Sequence, residues 1–239
     1  MKVATMSVLA KITRIQQETS LIRSFRLELE DSRFSFLPGQ WVDFYKDIEG
    51  ELRVAGYSII SLPSQKGFID LAVKKIGTNP VTKYLHDGVK LGDTVYVDGG
   101  YGDFFFTKDM GTSVVLISGG IGVTPLLGIL RYIQDEAPEV QATMLYSAKS
   151  QEEFLFHNEF LEIENKNENI NCIFTITQSD NLKKWNGSIG RIDMDLINRT
   201  NLKPETIFYI CGPPAMVEDL HKLLLSNKIP SDRIYTETW

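Results

Sequence analysis

The residues best suited to chemistry fall in four short stretches. Ile117 to Leu126 reads I-S-G-G-I-G-V-T-P-L and lies between an apolar run and a helical repeat. Glycines let a backbone turn tightly and bring bare N–H groups against a ligand. A helix opening at the carboxyl end of a sheet is a natural anion site. Thr124 is expected to cap that helix, and Pro125 to take its first position. The order of strand, glycines, cap and helix points to phosphate binding rather than to a sharp turn alone. Pro125 stands where the usual dinucleotide loop has its third glycine, so the loop is not of the standard kind. C-G-P-P-A-M, Cys211 to Met216, also runs from strand to helix, and Cys211 would present a small, polarizable side chain there. By itself a cysteine ending a strand is usually packing. L-R-V-A-G-Y-S-I-I-S, Leu52 to Ser61, alternates as a strand does, yet spends positions on arginine, glycine, tyrosine and serine. The chain ends Y-T-E-T-W, Tyr235 to Trp239, and a terminal tryptophan alone reads as a frayed tail.

The totals bound the partners. The 239 residues, 43% hydrophobic and 23% charged, suit one large domain or two of about a hundred residues each. A net charge of -6 argues against nucleic acid or an anionic membrane as the main partner. No apolar run approaches the roughly 18 residues that span a bilayer, and the start lacks a signal-peptide pattern. A cytoplasmic protein is expected. Cys172 and Cys211 are too far apart to ligate zinc or an iron–sulfur cluster by themselves, so no metal is expected.

Two regions with different periods must position these stretches. Short alternating strands are expected at Val8–Ile12, Phe25–Leu29, Gln40–Phe44, Leu52–Ser61, Phe68–Val73 and Thr94–Val97. Turn signals separate them at Pro38–Gly39, Asp47–Gly50, Pro63–Gly67, Leu91–Asp93 and Asp98–Gly100, and one short helix is expected near Val81–His86. This pattern fits an all-β barrel or sandwich. After about Lys108 the period changes. Ser113–Ser118 is a near-continuous apolar run, as in a parallel strand buried on both faces. Helical spacing follows at Leu126, Ile129, Leu130 and Ile133. Then come a strand at Val140–Tyr146, a helix at Glu152–Glu164, strands at Ile170–Ile176 and Ile207–Cys211, and a helix at Ala215–Leu225. Alternating strands and helices indicate a doubly wound parallel sheet.

G-G-I-G-V-T-P (Gly119 to Pro125), C-G-P-P-A-M and the final E-T-W, in this order, resemble the ferredoxin–NADP⁺ reductase superfamily of flavoproteins. The resemblance covers nearly the whole chain. Within the superfamily the chain looks nearest to the group called oxidoreductase NAD-binding domain-containing protein 1, which similarly has glycine and an aromatic residue before the barrel serine. The implied fold is β + α/β: an N-terminal antiparallel Greek-key flavin-binding β-barrel, residues 1–108, then a C-terminal doubly wound parallel-sheet nucleotide-binding domain, residues 109–239. The implied cofactors are FAD and NAD(P)H.

In such barrels an arginine, any residue, tyrosine and serine line the flavin. Here Gly56, Tyr57 and Ser58 fall in place, but Ala55 holds the arginine's position and the nearest arginine is Arg53. Two residues apart on a strand, the two share a face, so Arg53 starts about 6–7 Å off. Arg53 is then either a pyrophosphate partner or a solvated charge, and Lys74 or Lys75 is the other source of positive charge. The resemblance implies that Tyr57 lies against the isoalloxazine and that Ser58 meets flavin N5. The second flavin motif runs from Val73 to Thr82, with Thr78, Asn79 and Val81 inside it, and in relatives the Thr82 position starts a short phosphate-binding helix. Gly119, Gly120, Gly122 and Thr124, with Pro125, would hold the pyrophosphate of the nucleotide. Cys211 and Glu237 would flank the nicotinamide C4, beside Gly212, Pro213 and Met216, and Trp239 would cover the flavin. Catalysis is expected of Ser58, Cys211 and Glu237. At Ser147 and Lys149, after the second parallel strand, only Lys149 offers a charge for a 2′-phosphate, and Thr175–Gln178 offers none, which favours NADH. The implied activity passes electrons from NAD(P)H through FAD to a separate acceptor, a protein or small molecule, since two cysteines build no iron–sulfur relay. The rival from another class is a flavin-free binding or assembly module that keeps the fold, supported by Ala55.

Overall fold

A computed structural model describes residues 7–178 and 185–238. The chain divides into two compact units, Met1–Phe105 and Phe106–Trp239. In the first, β1 (Val8–Thr19), β2 (Ile22–Leu29), β3 (Trp41–Ile48), β4 (Glu51–Ser58), β5 (Phe68–Lys74) and β6 (Thr94–Tyr101) form one antiparallel sheet. Its order is β4-β3-β6-β1-β2-β5. After Ser58 the chain leaves β3 and turns to β5, through an Ile59–Leu71 bridge and an Ile60 N–H donated to the Asp70 carbonyl at 2.9 Å. That step closes the barrel, with β6 returning beside β3 in Greek-key order. Alternation puts Phe25, Leu27, Val42, Phe44, Ile69, Leu71, Val95 and Val97 inside. On the opposite face Arg26 holds Asp70 with two hydrogen bonds of 2.8 and 2.7 Å and lies over the Phe68 ring.

Several boundaries differ from the sequence reading. β1 runs on to Thr19 and β2 starts at Ile22, because hairpin pairing extends past the apolar stretch. Asp98–Gly100 is not a turn. It lies within β6, where the register shifts by a bulge opposite Trp41 and Val42. A Cβ on Gly99 would lie 2.6 Å from Val42 Cγ1, so glycine there permits close strand approach.

The second unit holds a parallel sheet ordered β10-β9-β8-β7-β11-β12. Its strands are β7 (Ser113–Gly119), β8 (Gln141–Ala148), β9 (Ile170–Ile176), β10 (Ser188–Ile189), β11 (Ile207–Gly212) and β12 (Ile234–Thr238). One face packs Val115, Ile117, Phe208 and Ile210 against Val217, Leu220 and Leu224 of α5 (Pro214–Ser226). On the other, Tyr146 of β8 meets Phe160 of α3 (His157–Lys166) edge-on. Helices on both faces make the sheet doubly wound. α3 begins at His157, not Glu152, since Phe156 takes a left-handed φ of 56° and breaks the path from the single turn at Gln151–Glu153. Residues 234–238 form the strand β12, which lies parallel against β11, while Trp239, to which the frayed-tail reading applied, lies outside the described residues. β10 and the short α4 (Met194–Ile197) carry too few residues to show a period. Among the described residues, no helix is long and apolar enough to cross a membrane.

Candidate functional site

In the first unit the candidate residues gather where β4 exchanges β3 for β5. Tyr57 stands opposite Val42 and packs edge-on against Phe44, with centroids 6.1 Å apart. Its hydroxyl lies 2.9 Å from Thr82 Oγ1, and burial pushes its pKa up to about 12. The hydroxyl thus stays protonated and is tied to the neighbouring helix rather than left open. Ser58, buried, pairs with Trp41, and Gly56 with Asp43. Thr82 does not start the helix. α1 (Pro80–Lys83) is capped by Asn79, whose Oδ1 accepts from Val81 N at 2.8 Å and Thr82 N at 3.3 Å. Asn79 is the better cap because it precedes Pro80, which has no N–H to satisfy and a φ suited to the first helical position. Past Lys83 the helix widens into a π turn, Tyr84–Gly88.

The cations are distributed unevenly. Arg53 is exposed and pairs with Glu51 two residues back on its own strand. Lys75 pairs with Asp87 at 2.6 Å, and Lys74 sits at the end of β5 beside buried Val73. Thr78 is exposed in the loop between β5 and α1. Sequence reasoning passed over Lys46, the cross-strand partner of Arg53. Its Nζ donates to the Thr94 carbonyl at 3.1 Å and lies 4.8 Å from the Tyr84 ring centroid. The signal was its phase: Lys46 follows Val42 and Phe44 at period two, on the inward face. Lys46 and Arg53 both line an open groove of about 710 Å³.

In the second unit two loops pack backbone against backbone. A Cβ on Gly122 would fall 2.4 Å from the Cys211 carbonyl oxygen, and one on Gly119 2.4 Å from Met216 Sδ. A Cβ on Gly212 would meet Gly119 N at 3.1 Å. These three glycines let the loop after β7 and the loop after β11 touch. Gly120 differs: its φ is +56° and no atom stands within 4 Å of where a Cβ would be. Thr124 is not the helix cap. The cap position of α2 (Val123–Glu136) is Gly122, and Thr124 Oγ1 donates back to the Ile121 carbonyl at 3.0 Å. Pro125 is therefore the third helical residue, not the first. Pro213 takes the cap position of α5. Ser147 is buried opposite Gly119, and Lys149 is exposed just beyond β8.

Parallel registration does the rest. Cys211 pairs with Glu237 on β12 and with Ser118 on β7, and Ser118 in turn with Tyr146 on β8. Side chains directly paired across strands share a face. Tyr146, Ser118, Cys211 and Glu237 thus form one row near the carboxyl edge of the sheet. Cys211 and Ser118 are both fully buried. Among the described residues, Ser118 Oγ has no hydrogen-bond partner, an arrangement that costs about 1–3 kcal/mol. Sequence reasoning placed Ser118 at the end of the apolar strand Ser113–Ser118 and gave it no role, since nothing local shows which residues flank it on the neighbouring strands. Trp239 lies outside the described residues. The other thiol, Cys172, lies on β9 two residues before Phe174, the register partner of Tyr146, and burial pushes its pKa well up, so it stays protonated.

Residues 7–106 match the family model for the oxidoreductase FAD-binding domain, and residues 116–222 that for the oxidoreductase NAD-binding domain. Oxidoreductase NAD-binding domain-containing protein 1 of Pongo abelii is 38% identical over 96% of this chain and 79% of its own length. The human protein of that name is 37% identical over the same shares. Among solved structures, the FAD/NAD-binding domain of a nitric oxide dioxygenase from Vibrio cholerae superposes with a TM-score of 0.85 at 26% identity, covering 97% of this chain and 98% of the other. A ferredoxin–NADP⁺ reductase from Neisseria gonorrhoeae with bound FAD and NADP shares the fold, with a TM-score of 0.80 at 22% identity over 96% and 97%.

Proposed function

This chain belongs to the oxidoreductase NAD-binding domain-containing protein 1 family, with one FAD-binding and one NAD-binding oxidoreductase domain, and on that premise we propose that it is an NADH:acceptor reductase. Bound FAD would supply the acceptor for a hydride given up by the nicotinamide. The residues present fit the nucleotide. Gly120 leaves room where a Cβ would stand, and the loops around Gly119, Gly122 and Gly212 are held in backbone contact beside the N-terminus of the 14-residue helix α2.

The observation that carries the reading is the registered pair of Cys211 and Glu237, which places a thiol and a carboxylate side by side at the end of adjacent strands. Their role is to orient the nicotinamide ring, with Gly119, Gly120, Gly122, Thr124, Pro125, Gly212, Pro213 and Met216 shaping the loops around the nucleotide. Ser58 serves the flavin, and Tyr57, fixed by Thr82, supplies an aromatic wall. Asn79, Val81 and Thr82 fix the helix beside it, with Val73 and Thr78 leading into that segment. Trp239 belongs to the same proposal as a cover for the flavin. Among the described residues directly after β8 and β9, Ser147 to Lys149 and Thr175 to Gln178, only Lys149 carries a charge for a 2′-phosphate, which favours NADH over NADPH. Two cysteines outside any disulfide fit a reducing, cytoplasmic setting. The electrons then leave for a separate protein or small-molecule acceptor.

The test is anaerobic titration of the purified protein. A yellow protein whose flavin absorbance bleaches with NADH, at a higher kcat/KM than with NADPH, is the expected result. Faster bleaching by NADPH would overturn only the preference. A second reading, a flavin-free binding module, draws on Ala55 at the arginine position and on Arg53 being engaged by Glu51. A colourless protein that takes up no added FAD would establish that reading instead.

A further inference from the structure

The row on the second sheet contains one group with no assigned task. Ser118 is fully buried, and among the described residues its hydroxyl makes no hydrogen bond. Its neighbours in register are Tyr146 on one side and Cys211 on the other. The Tyr146 hydroxyl is already engaged, accepting from the Leu155 N–H at 3.1 Å, and its ring is held by Phe154, Phe160 and Phe174. Tyr146 is thus a fixed wall. Cys211 lies across one strand spacing on the same face, about 4.8 Å away between backbones. A serine side chain has three staggered positions, so one rotation of χ1 re-aims its hydroxyl along the row. Buried hydroxyls are nearly always bonded, and a position that leaves one unsatisfied is destabilised until a partner is found.

We infer that Ser118 is a positioning residue for Cys211, its hydroxyl donating to Cys211 Sγ when the nucleotide is bound. The inference rests on the reductase reading, in which Cys211 orients the nicotinamide. Within it, Ser118 acts through the thiol and touches no reacting atom. The hydrogen bond fixes one rotamer of Cys211 and so one placement of the ring against it. In the free protein the hydroxyl contributes nothing to stability, which separates this role from ordinary packing.

The experiment uses the full chain in a Cys172→Ser background, so that Cys211 holds the remaining thiol, with Ser118→Ala and Ser118→Thr as variants. NAD⁺, which carries no hydride, is the probe, and the infrared S–H stretching band of Cys211 is the readout. The band is expected to shift on NAD⁺ binding in the parent and in Ser118→Thr, and to stay in place in Ser118→Ala. Thermal melting of the free protein should show Ser118→Ala at least as stable as the parent. Single-turnover reduction of the flavin by NADH should be about five- to tenfold slower in Ser118→Ala, at unchanged nucleotide affinity, the range expected of one hydrogen bond made in the reacting complex. An unshifted band in the parent with NAD⁺ bound would overturn the inference and leave the reductase reading standing. So would a Ser118→Ala variant that is less stable when free and slower only in proportion. Failure of NAD⁺ to bind at all would count against both.

Discussion

Gly120 and Gly122 stand two residues apart in one loop yet answer to different constraints. At Gly122 the constraint is contact, with the Cys211 carbonyl 2.4 Å from where a Cβ would sit. At Gly120 it is the backbone alone, a φ of +56° with open space around it. Gly122→Ala should therefore push the two loops apart, costing about 1–3 kcal/mol by overpacking and weakening NAD⁺ binding. Gly120→Ala should cost about 1–2 kcal/mol from the left-handed conformation and leave the loops in contact. Denaturant midpoints and NAD⁺ titrations check both, and equal NAD⁺ affinities in the two variants would contradict the distinction. Arg53 is the second case at this scale. Its ion pair with Glu51 is exposed on both sides, and such pairs contribute about 1 kcal/mol or less. Arg53→Ala should leave the melting point of the apoprotein almost unchanged while releasing more FAD on gel filtration. Full retention of FAD would remove Arg53 from the flavin site and direct attention to its cross-strand neighbour Lys46.

The flavin side depends on two elements whose ends meet. β4 supplies Tyr57, α1 supplies Thr82, and the 2.9 Å contact between their hydroxyls joins the strand to the helix. A four-residue helix has almost no intrinsic stability, so its cap decides whether it forms. Asn79→Ala should cost about 1 kcal/mol through loss of the two bonds from Val81 N and Thr82 N. It should also loosen Thr82, so that FAD dissociates faster than from the parent. Asn79→Asp, which keeps an acceptor oxygen, should restore both. Unchanged FAD release from Asn79→Ala would separate the helix from the flavin site. The sequence showed the helix from its apolar residues Val81 and Leu85, but its true start was obscured. N-P-V-T contains two residues able to cap, and only the backbone path decides between Asn79 and Thr82. The same holds for Thr124, a good capping type by composition that instead bonds back to Ile121.

Each unit carries its own core, so the molecule's response to pH can be traced to particular groups. His86 is buried near the barrel core, its Nε2 3.1 Å from the Val73 carbonyl, and burial lowers its pKa. Arg23 donates to the His86 carbonyl at 2.6 Å, and Arg23 and Lys75 add positive charge nearby. Unfolded, the histidine binds a proton near pH 6.5; folded, it resists until the pH is lower. Its stabilising contribution is therefore complete above about 6.5 and lost as pH falls through the depressed folded value. Melting between pH 7 and 5 should show this loss, and His86→Gln should flatten the slope. An identical slope in that variant would assign it to other groups. By itself the sequence determined the two regions and their periods, and its motifs, through the family they resemble, the cofactor class and two members of the row, Cys211 and Glu237. Those follow from local alternation and from motifs in which neighbours in sequence act together. Tertiary structure alone decided the closure of the barrel at Ile59, the contacts of Lys46 with Thr94 and Tyr84, the separate duties of the glycines and the place of Ser118 beside Cys211. Each of these depends on which strand lies next to which, and registration between strands distant in sequence leaves no local pattern to read.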